Sequence, residues 1–275
     1  LLTALRTAAE TRLPRVFAFL SRLADHRAAR NPASELQFVP LLVRPGELAC
    51  DIGANRGVFT YWLLRLGADV ATFEPNPFMG RILRRRFPEA LEDGRLRLFD
   101  GALSDESGLV ELHIPRGYSP LATIDGNAVG QGVPVDEVTV RCFRLDDCLD
   151  ENISFIKIDV EGHEQKVIDG GLGLIASFRP TLLIEAEERH RPGAVASLRA
   201  SLEPLGYEGY FARADGLHPI ATFDAARDQS PASLNEAGTA ARAPFAYINN
   251  FLFVGRSDVK ARLVGWRPTV VLPTN

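Results

Sequence analysis

Residues Leu48 to Pro77 read LACDIGANRGVFTYWLLRLGADVATFEPNP, and this stretch decides the fold. Leu48 to Ile52 is a short apolar run that predicts a strand, with Asp51 near its end. A turn with a glycine at each end follows, Gly53-Ala54-Asn55-Arg56-Gly57. Val58, Phe59, Trp62, Leu63 and Leu66 then recur at helical spacing on one face. Gly67 stops that helix, as glycine does just past a C-terminus. A second strand, Ala68 to Phe73, delivers Glu74 and Pro75 at its end. Strand, glycine turn, helix, strand and acid form the layout of a nucleotide-binding βαβ unit.

The details narrow the nucleotide. A dinucleotide turn needs G-x-G-x-x-G, whose second glycine lets backbone approach a pyrophosphate. Here the spacing is Gly53-x-x-x-Gly57, and Asn55 takes the place of that second glycine. Asp51 beside the turn would also repel a phosphate. A cofactor with a cationic amino acid end and no phosphate suits both features, and S-adenosylmethionine (SAM) is that cofactor. The expectation is that Asp51 reaches the ammonium, directly or through water, while Gly53 admits the methionine portion. Asn55, Gly57 and Pro75 complete the expected cradle. Glu74 lies 23 positions after Asp51, and its two oxygens can accept from both ribose hydroxyls.

The whole chain has 275 residues, 46% hydrophobic and 24% charged, enough for an extensive core and too apolar for disorder as the default. A formal charge of -4 and a pI of about 5.8 point to no nucleic-acid or membrane-surface partner. No stretch approaches the roughly 18 uninterrupted apolar residues of a membrane-crossing helix. Cys50, Cys142 and Cys148 are too few and too oddly spaced for a disulfide framework or a zinc site. A cytoplasmic protein is the simplest expectation. The chain opens on Leu1 rather than Met, which leaves room for a native segment ahead of it.

Residues 1–40 read as a helical leader and 41–275 as the catalytic domain. In the leader, Leu13, Val16, Phe17, Leu20 and Leu23 predict an amphipathic helix over Thr11 to Ala24 that packs on the domain, with an oligomer contact as the rival use. Beyond the opening unit, Arg95 to Phe99 is the expected third strand, and the backbone of Ala102 and Leu103 just past it is an expected adenine contact. Leu109 to Ile114 and Val138 to Phe143 alternate like antiparallel strands. Residues 115–134 between them, and residues 213–245 further on, read as loop insertions on the substrate side.

Ile153 to Val160 predicts a central strand that runs into Asp159-Val160-Glu161-Gly162-His163-Glu164. Thr181 to Glu185 predicts the next. In an open parallel sheet, ligands sit beyond the carboxyl ends of the strands, so one crevice collects Asp51, Glu74, Asp159 and Glu185. Alternation puts Lys157 and Asp159 on one face, with Lys157 expected to pair with an acid. An alcohol must lose a proton as it attacks a methyl group, and a neutral imidazole suits that work. His163 is therefore the candidate base, with Asp159 beside it; capping the following helix is its competing role. Asp159, Glu161 and Glu185 can alternatively bind substrate or hold Mg²⁺ or Mn²⁺.

Five stretches in this order, DIGANRGVFT from Asp51, FEPNP from Phe73, GALSD from Gly101, IKIDVEGHEQKVIDGG from Ile156 and RPTLLIEAEERH from Arg179, resemble the FkbM-type SAM-dependent methyltransferases. NNFLFV from Asn249 is similar to that family's last strand. The resemblance implies a Rossmann-like α/β fold, a mostly parallel seven-strand sheet with helices on both faces. It also implies O-methylation of a hydroxyl on a small molecule, sugar or polyketide-like scaffold. Two rival readings are a nucleotide-dependent enzyme of another class and a catalytically idle SAM-binding protein.

Overall fold

The computed structural model describes residues 14–31, 33–115, 122–124, 134–236, 238 and 240–268. In chain order, α1 (Pro14–Ala29) and a short α2 (Val39–Leu42) precede β1 (Leu48–Ile52), α3 (Val58–Arg65) and β2 (Asp69–Phe73). Then come α4 (Pro77–Arg86), α5 (Pro88–Glu92), β3 (Leu96–Phe99), β4 (Ala102–Leu103), β5 (Gly108–Pro115) and β6 (Val135–Phe143). The chain continues with α6 (Leu145–Cys148), β7 (Ile153–Ile158), α7 (Glu164–Gly170), α8 (Leu172–Phe178), β8 (Thr181–Glu185) and α9 (Ala194–Leu202). It closes with β9 (Glu208–Arg213), β10 (Gly216–Pro219), α10 (Ala225–Asp228), β11 (Asn250–Val254) and α11 (Ser257–Leu263).

Among the described residues the main sheet has eight strands in the order β10-β9-β11-β8-β7-β1-β2-β3. The five from β8 to β3 are parallel, and β11 runs antiparallel between β8 and β9. The strand beyond the expected seven is β10, inside the segment read as a loop. The chain reverses over Ala214 and Asp215, and Gly216, at φ +131°, starts the return on β9. An aspartate followed by glycine is a hairpin signal. The same segment also holds α10. A separate three-stranded sheet, β4-β6-β5, carries the first insertion, of which only residues 122–124 and 134 are described; the rest of 115–134 beyond Pro115 lies outside the described residues.

Alternation along the strands builds two cores. Cys50, Ile52, Phe73, Ile156, Ile158 and Ile184 face α7, α8 and α9. Ala49, Val70, Phe155, Leu183 and Leu252 face α3, the 36–43 segment and α11. Polar residues that share the second parity, Asp51 and Lys157, are therefore buried on the α3 side. The α4 helix begins where Asn76 caps it, its Oδ1 accepting from Phe78 N at 3.0 Å, with Pro77 next.

The leader helix forms, but it turns its other face inward. Leu20 and Leu23 are 51% and 53% exposed, while Ser21, Asp25 and Ala29 are buried. These three share one face by their spacing of four. The cause is electrostatic: Arg86 of α4, almost fully buried, donates to Asp25 and also to the carbonyl oxygen of Arg56. A buried guanidinium needs such partners, and that need outweighs two leucines left at the surface. Leu13 lies outside the described residues. No helix among the described residues is long and apolar enough to cross a membrane.

Candidate active site

The strand order reverses between β1 and β7, and the site grows from that point. Asp159 N donates to Ile52 O at 3.0 Å, and Gly53 N donates to Phe73 O at 3.0 Å. These bonds close the strand ends so tightly that a Cβ on Gly53 would lie 1.8 Å from the Asp159 carbonyl oxygen. Gly53 also stands at φ +76°, in the left-handed region. No other residue type fits there.

Glu74 follows β2 and is 5% exposed. Its Oε2 accepts from Asn55 N at 2.6 Å and its Oε1 from Asn76 N at 2.8 Å. Each oxygen keeps a lone pair for a ligand. Burial pushes its carboxyl up to about 7, against the pull of these two bonds. Gly53, Asn55, Glu74 and Pro75 line a cleft together with Ala102 and Leu103 of β4. Asn55 sits at φ +53°, and its Oδ1 is buried with no hydrogen-bond partner among the described residues.

Asp159, Glu161 and His163 line the same cleft from the loop after β7. His163 Nε2 lies 2.9 Å from Ser104 Oγ, which fixes it to the wall that β4 continues into. Gly170 permits this packing, because a Cβ there would meet Ser104 O at 1.9 Å. Glu161 stands at φ +53°, a sparsely populated conformation for a side-chain-bearing residue. Its Oε2 lies 3.3 Å from Nδ1 of His190, on the loop after β8. Burial, joined by the nearby Asp159, Glu187 and Glu164 carboxylates, pushes Glu161 up to about 8. Burial lowers His190. His190 was visible in the sequence close behind Glu188, but only the packing of two loops brings it to Glu161.

Three residues expected as cofactor or substrate contacts do not line this cleft. Asp51, 2% exposed, does not line the cleft. Its Oδ2 accepts from Thr60 N at 2.8 Å and Thr60 Oγ1 at 2.5 Å, so it anchors the first turns of α3. Strand parity is the reason: Asp51 pairs laterally with Lys157 and Thr72, on the face opposite Ile52. Gly57, at φ +78°, starts α3, and its missing Cβ makes room for Leu83 and Phe87 of α4 and its C-terminus. Glu185 accepts from Asn249 Nδ2 at 2.6 Å and lies 3.9 Å from Lys157 Nζ. Lys157 is 1% exposed, and its ammonium also lies 3.8 Å from Asp159 Oδ2.

The cation alternative also changes. Among the described residues no three His, Cys, Asp or Glu side chains stand as a metal site. Glu185 is held by Asn249 and shares Lys157 with Asp159, whereas Glu161 faces His190. The cleft instead suits a nucleoside-bearing ligand. Phe73, Met79, Leu103 and Leu112 give apolar walls for a base, Glu74 has lone pairs for ribose hydroxyls, and the orphaned Asn55 oxygen awaits a donor.

The Methyltransferase FkbM domain model matches residues 51–208. The 2-O-methyltransferase NoeI of Sinorhizobium fredii (strain NBRC 101917 / NGR234) is 32% identical over 171 residues, covering 54% of this chain and 69% of that protein. The 31-O-demethyl-FK506 methyltransferase FkbM of Streptomyces tacrolimicus is 28% identical over 159 residues, covering 46% of this chain and 60% of that protein. A solved FkbM methyltransferase from Methylobacillus flagellatus KT superposes with a TM-score of 0.48 at 17% identity, over 80% of this chain and 50% of that one.

Proposed function

The chain belongs to the FkbM methyltransferase family of SAM-dependent enzymes, and we propose that it methylates a hydroxyl group of a small molecule, of the sugar or polyketide-like kind. One observation carries the reading: the turn that presses Gly53 against the Asp159 carbonyl joins the Glu74 cradle directly to the carboxylates Asp159 and Glu161. The relatives' names, a 2-O-methyltransferase and a 31-O-demethyl-FK506 methyltransferase, agree with a hydroxyl acceptor.

SAM, when bound, supplies a methyl group on a positively charged sulfur. Glu74 holds the ribose hydroxyls, and Ala102 and Leu103 flank the base. Gly53 leaves backbone open beside the methionine portion, and Asp159 presents a carboxylate at the next strand end. The acceptor hydroxyl must give up a proton as its oxygen gains carbon. Glu161 is our candidate to take it, because it lines the cleft beside Asp159 with one carboxylate oxygen against His190, and burial raises its pKa toward the working range of a base. His190 orients it. His163, tied to Ser104 on the base-binding wall, positions that wall in this reading.

Transfer of labelled methyl from SAM to a small-molecule extract of the source organism tests the activity. The expected result is labelled ether product in the presence of extract and none without it. SAM binding without any transfer would overturn the proposal in favour of an idle binding protein.

Glu74 gives a separate prediction. Glu74→Gln should weaken SAM binding by about 1.5–3 kcal/mol, the scale of a hydrogen bond to a charged group. Ribose donors favour the ionised carboxylate, whose pKa in the unliganded protein is raised to about 7. Wild-type affinity should therefore rise from pH 6 to pH 8 and the variant's should not, as calorimetry at the two pH values would reveal. Equal affinities for both proteins would remove Glu74 from the cradle.

A further inference from the structure

The left-handed backbone of Glu161 is held in part from outside its own loop. Glu161 stands at φ +53° and Gly162 at φ +99°, and the peptide unit between them carries the Glu161 carbonyl and the Gly162 N–H. Thr123 Oγ1 donates to that carbonyl oxygen at 2.9 Å. The Gly162 N–H donates to Glu164 Oε1 at 2.8 Å. A peptide unit is planar, so bonds at both of its ends fix its tilt and the torsions on either side. The Glu161 side chain springs from beside this plane, and its Oε2 ends 3.3 Å from His190 Nδ1.

The two holders come from different parts of the fold. Glu164 is the first residue of α7 and belongs to the same turn. Thr123 belongs to the insertion between β5 and β6, 38 positions away in sequence, and is 2% exposed. Its backbone is bridged to β5: His113 N donates to Thr123 O at 2.8 Å, and Thr123 N donates to His113 O at 3.1 Å. Ala122, Thr123 and Ile124 all line the cleft. The small sheet thus reaches, through one hydroxyl, the loop that carries the candidate base. A disfavoured φ persists only where its surroundings over-determine it, and loss of this hydroxyl removes one of the two bonds on the peptide.

We propose that Thr123 is a positioning residue for methyl transfer: its hydroxyl sets the Glu161–Gly162 peptide so that the Glu161 carboxylate meets His190 and the acceptor hydroxyl. The inference rests on the reading of Glu161 as the base. It makes the insertion part of the machinery that aims the base as well as a wall of the cleft.

The experiment measures initial rates of label transfer from saturating SAM to the same small-molecule extract, with calorimetric SAM affinity alongside. Thr123→Val keeps the shape and loses the donor, whereas Thr123→Ser keeps the donor. Thr123→Val should lose at least about tenfold in rate and Thr123→Ser should stay within about threefold of wild type. Both should bind SAM within about twofold of wild type. Thr123→Ala removes the donor without adding bulk and should match Thr123→Val, which covers a valine variant that folds poorly. The decisive arm adds Thr123→Val to Glu161→Gln, where it should cost less than about threefold, because effects exerted through one group do not add. A hydroxyl with a purely structural role would cost the same factor on either background. Wild-type rates in Thr123→Val and Thr123→Ala, a Thr123→Ser rate as low as theirs, or losses that multiply in the double variant would overturn the inference and leave Glu161 as the base. A wild-type rate in Glu161→Gln would overturn the base assignment, and this inference with it. No transfer by the wild type would overturn methyl transfer itself.

Discussion

Gly53→Ala should abolish measurable SAM binding, a loss of at least about a hundredfold, in a protein that still folds. The added methyl carbon would have to occupy space 1.8 Å from the Asp159 carbonyl oxygen, and backbone cannot swing aside as a flexible side chain can. The φ of +76° adds strain for any residue with a Cβ. Relief requires the ends of β1 and β7 to part, which breaks the bond from Asp159 N to Ile52 O and displaces both walls of the cleft. Overpacking of this kind costs about 1–3 kcal/mol, short of the roughly 5–15 kcal/mol that holds a native protein together. Thermal unfolding should thus remain cooperative at a somewhat lower temperature. Wild-type SAM affinity in the variant would show that this turn is not the cradle.

Glu161→Gln should lower turnover by about 10²–10⁴, the usual contribution of a positioned base, with little change in SAM affinity. The amide keeps the shape and loses the ability to take a proton. The sign of the pH dependence follows from the raised pKa. A base works ionised, so wild-type rate should climb as pH rises through about 8 and then level, and that rise should vanish in the variant. His163→Ala is the counter-test. A greater loss of turnover there than in Glu161→Gln would return the base to the histidine that the sequence alone suggested.

The opening βαβ unit was legible because its signals are local. Helical spacing from Val58, the stop at Gly67 and the acid after β2 depend on a few consecutive residues, and β1 and β8 span the residues read for them. The glycine turn and the acids after β2 and β7 also announced one crevice, since parallel strands share a carboxyl edge. Which face of each element looks inward was a different matter. Asp51 sits one residue before Ile52, and the pleat alone sends it away from the cleft to Thr60. Leucine spacing in α1 pointed to one face, yet the Arg86–Asp25 pair, 61 residues apart in sequence, turned in the other. The same holds for chemistry. DVEGHE displayed His163 and Glu161 equally, and no local pattern records that Ser104 engages the first while His190 reaches the second. Local periodicity decides that an element exists and where its ends lie, because backbone conformation is set over a few residues. Partnership is decided by packing and by the demand that every buried charge find a counter-group, and only the folded chain brings those groups together.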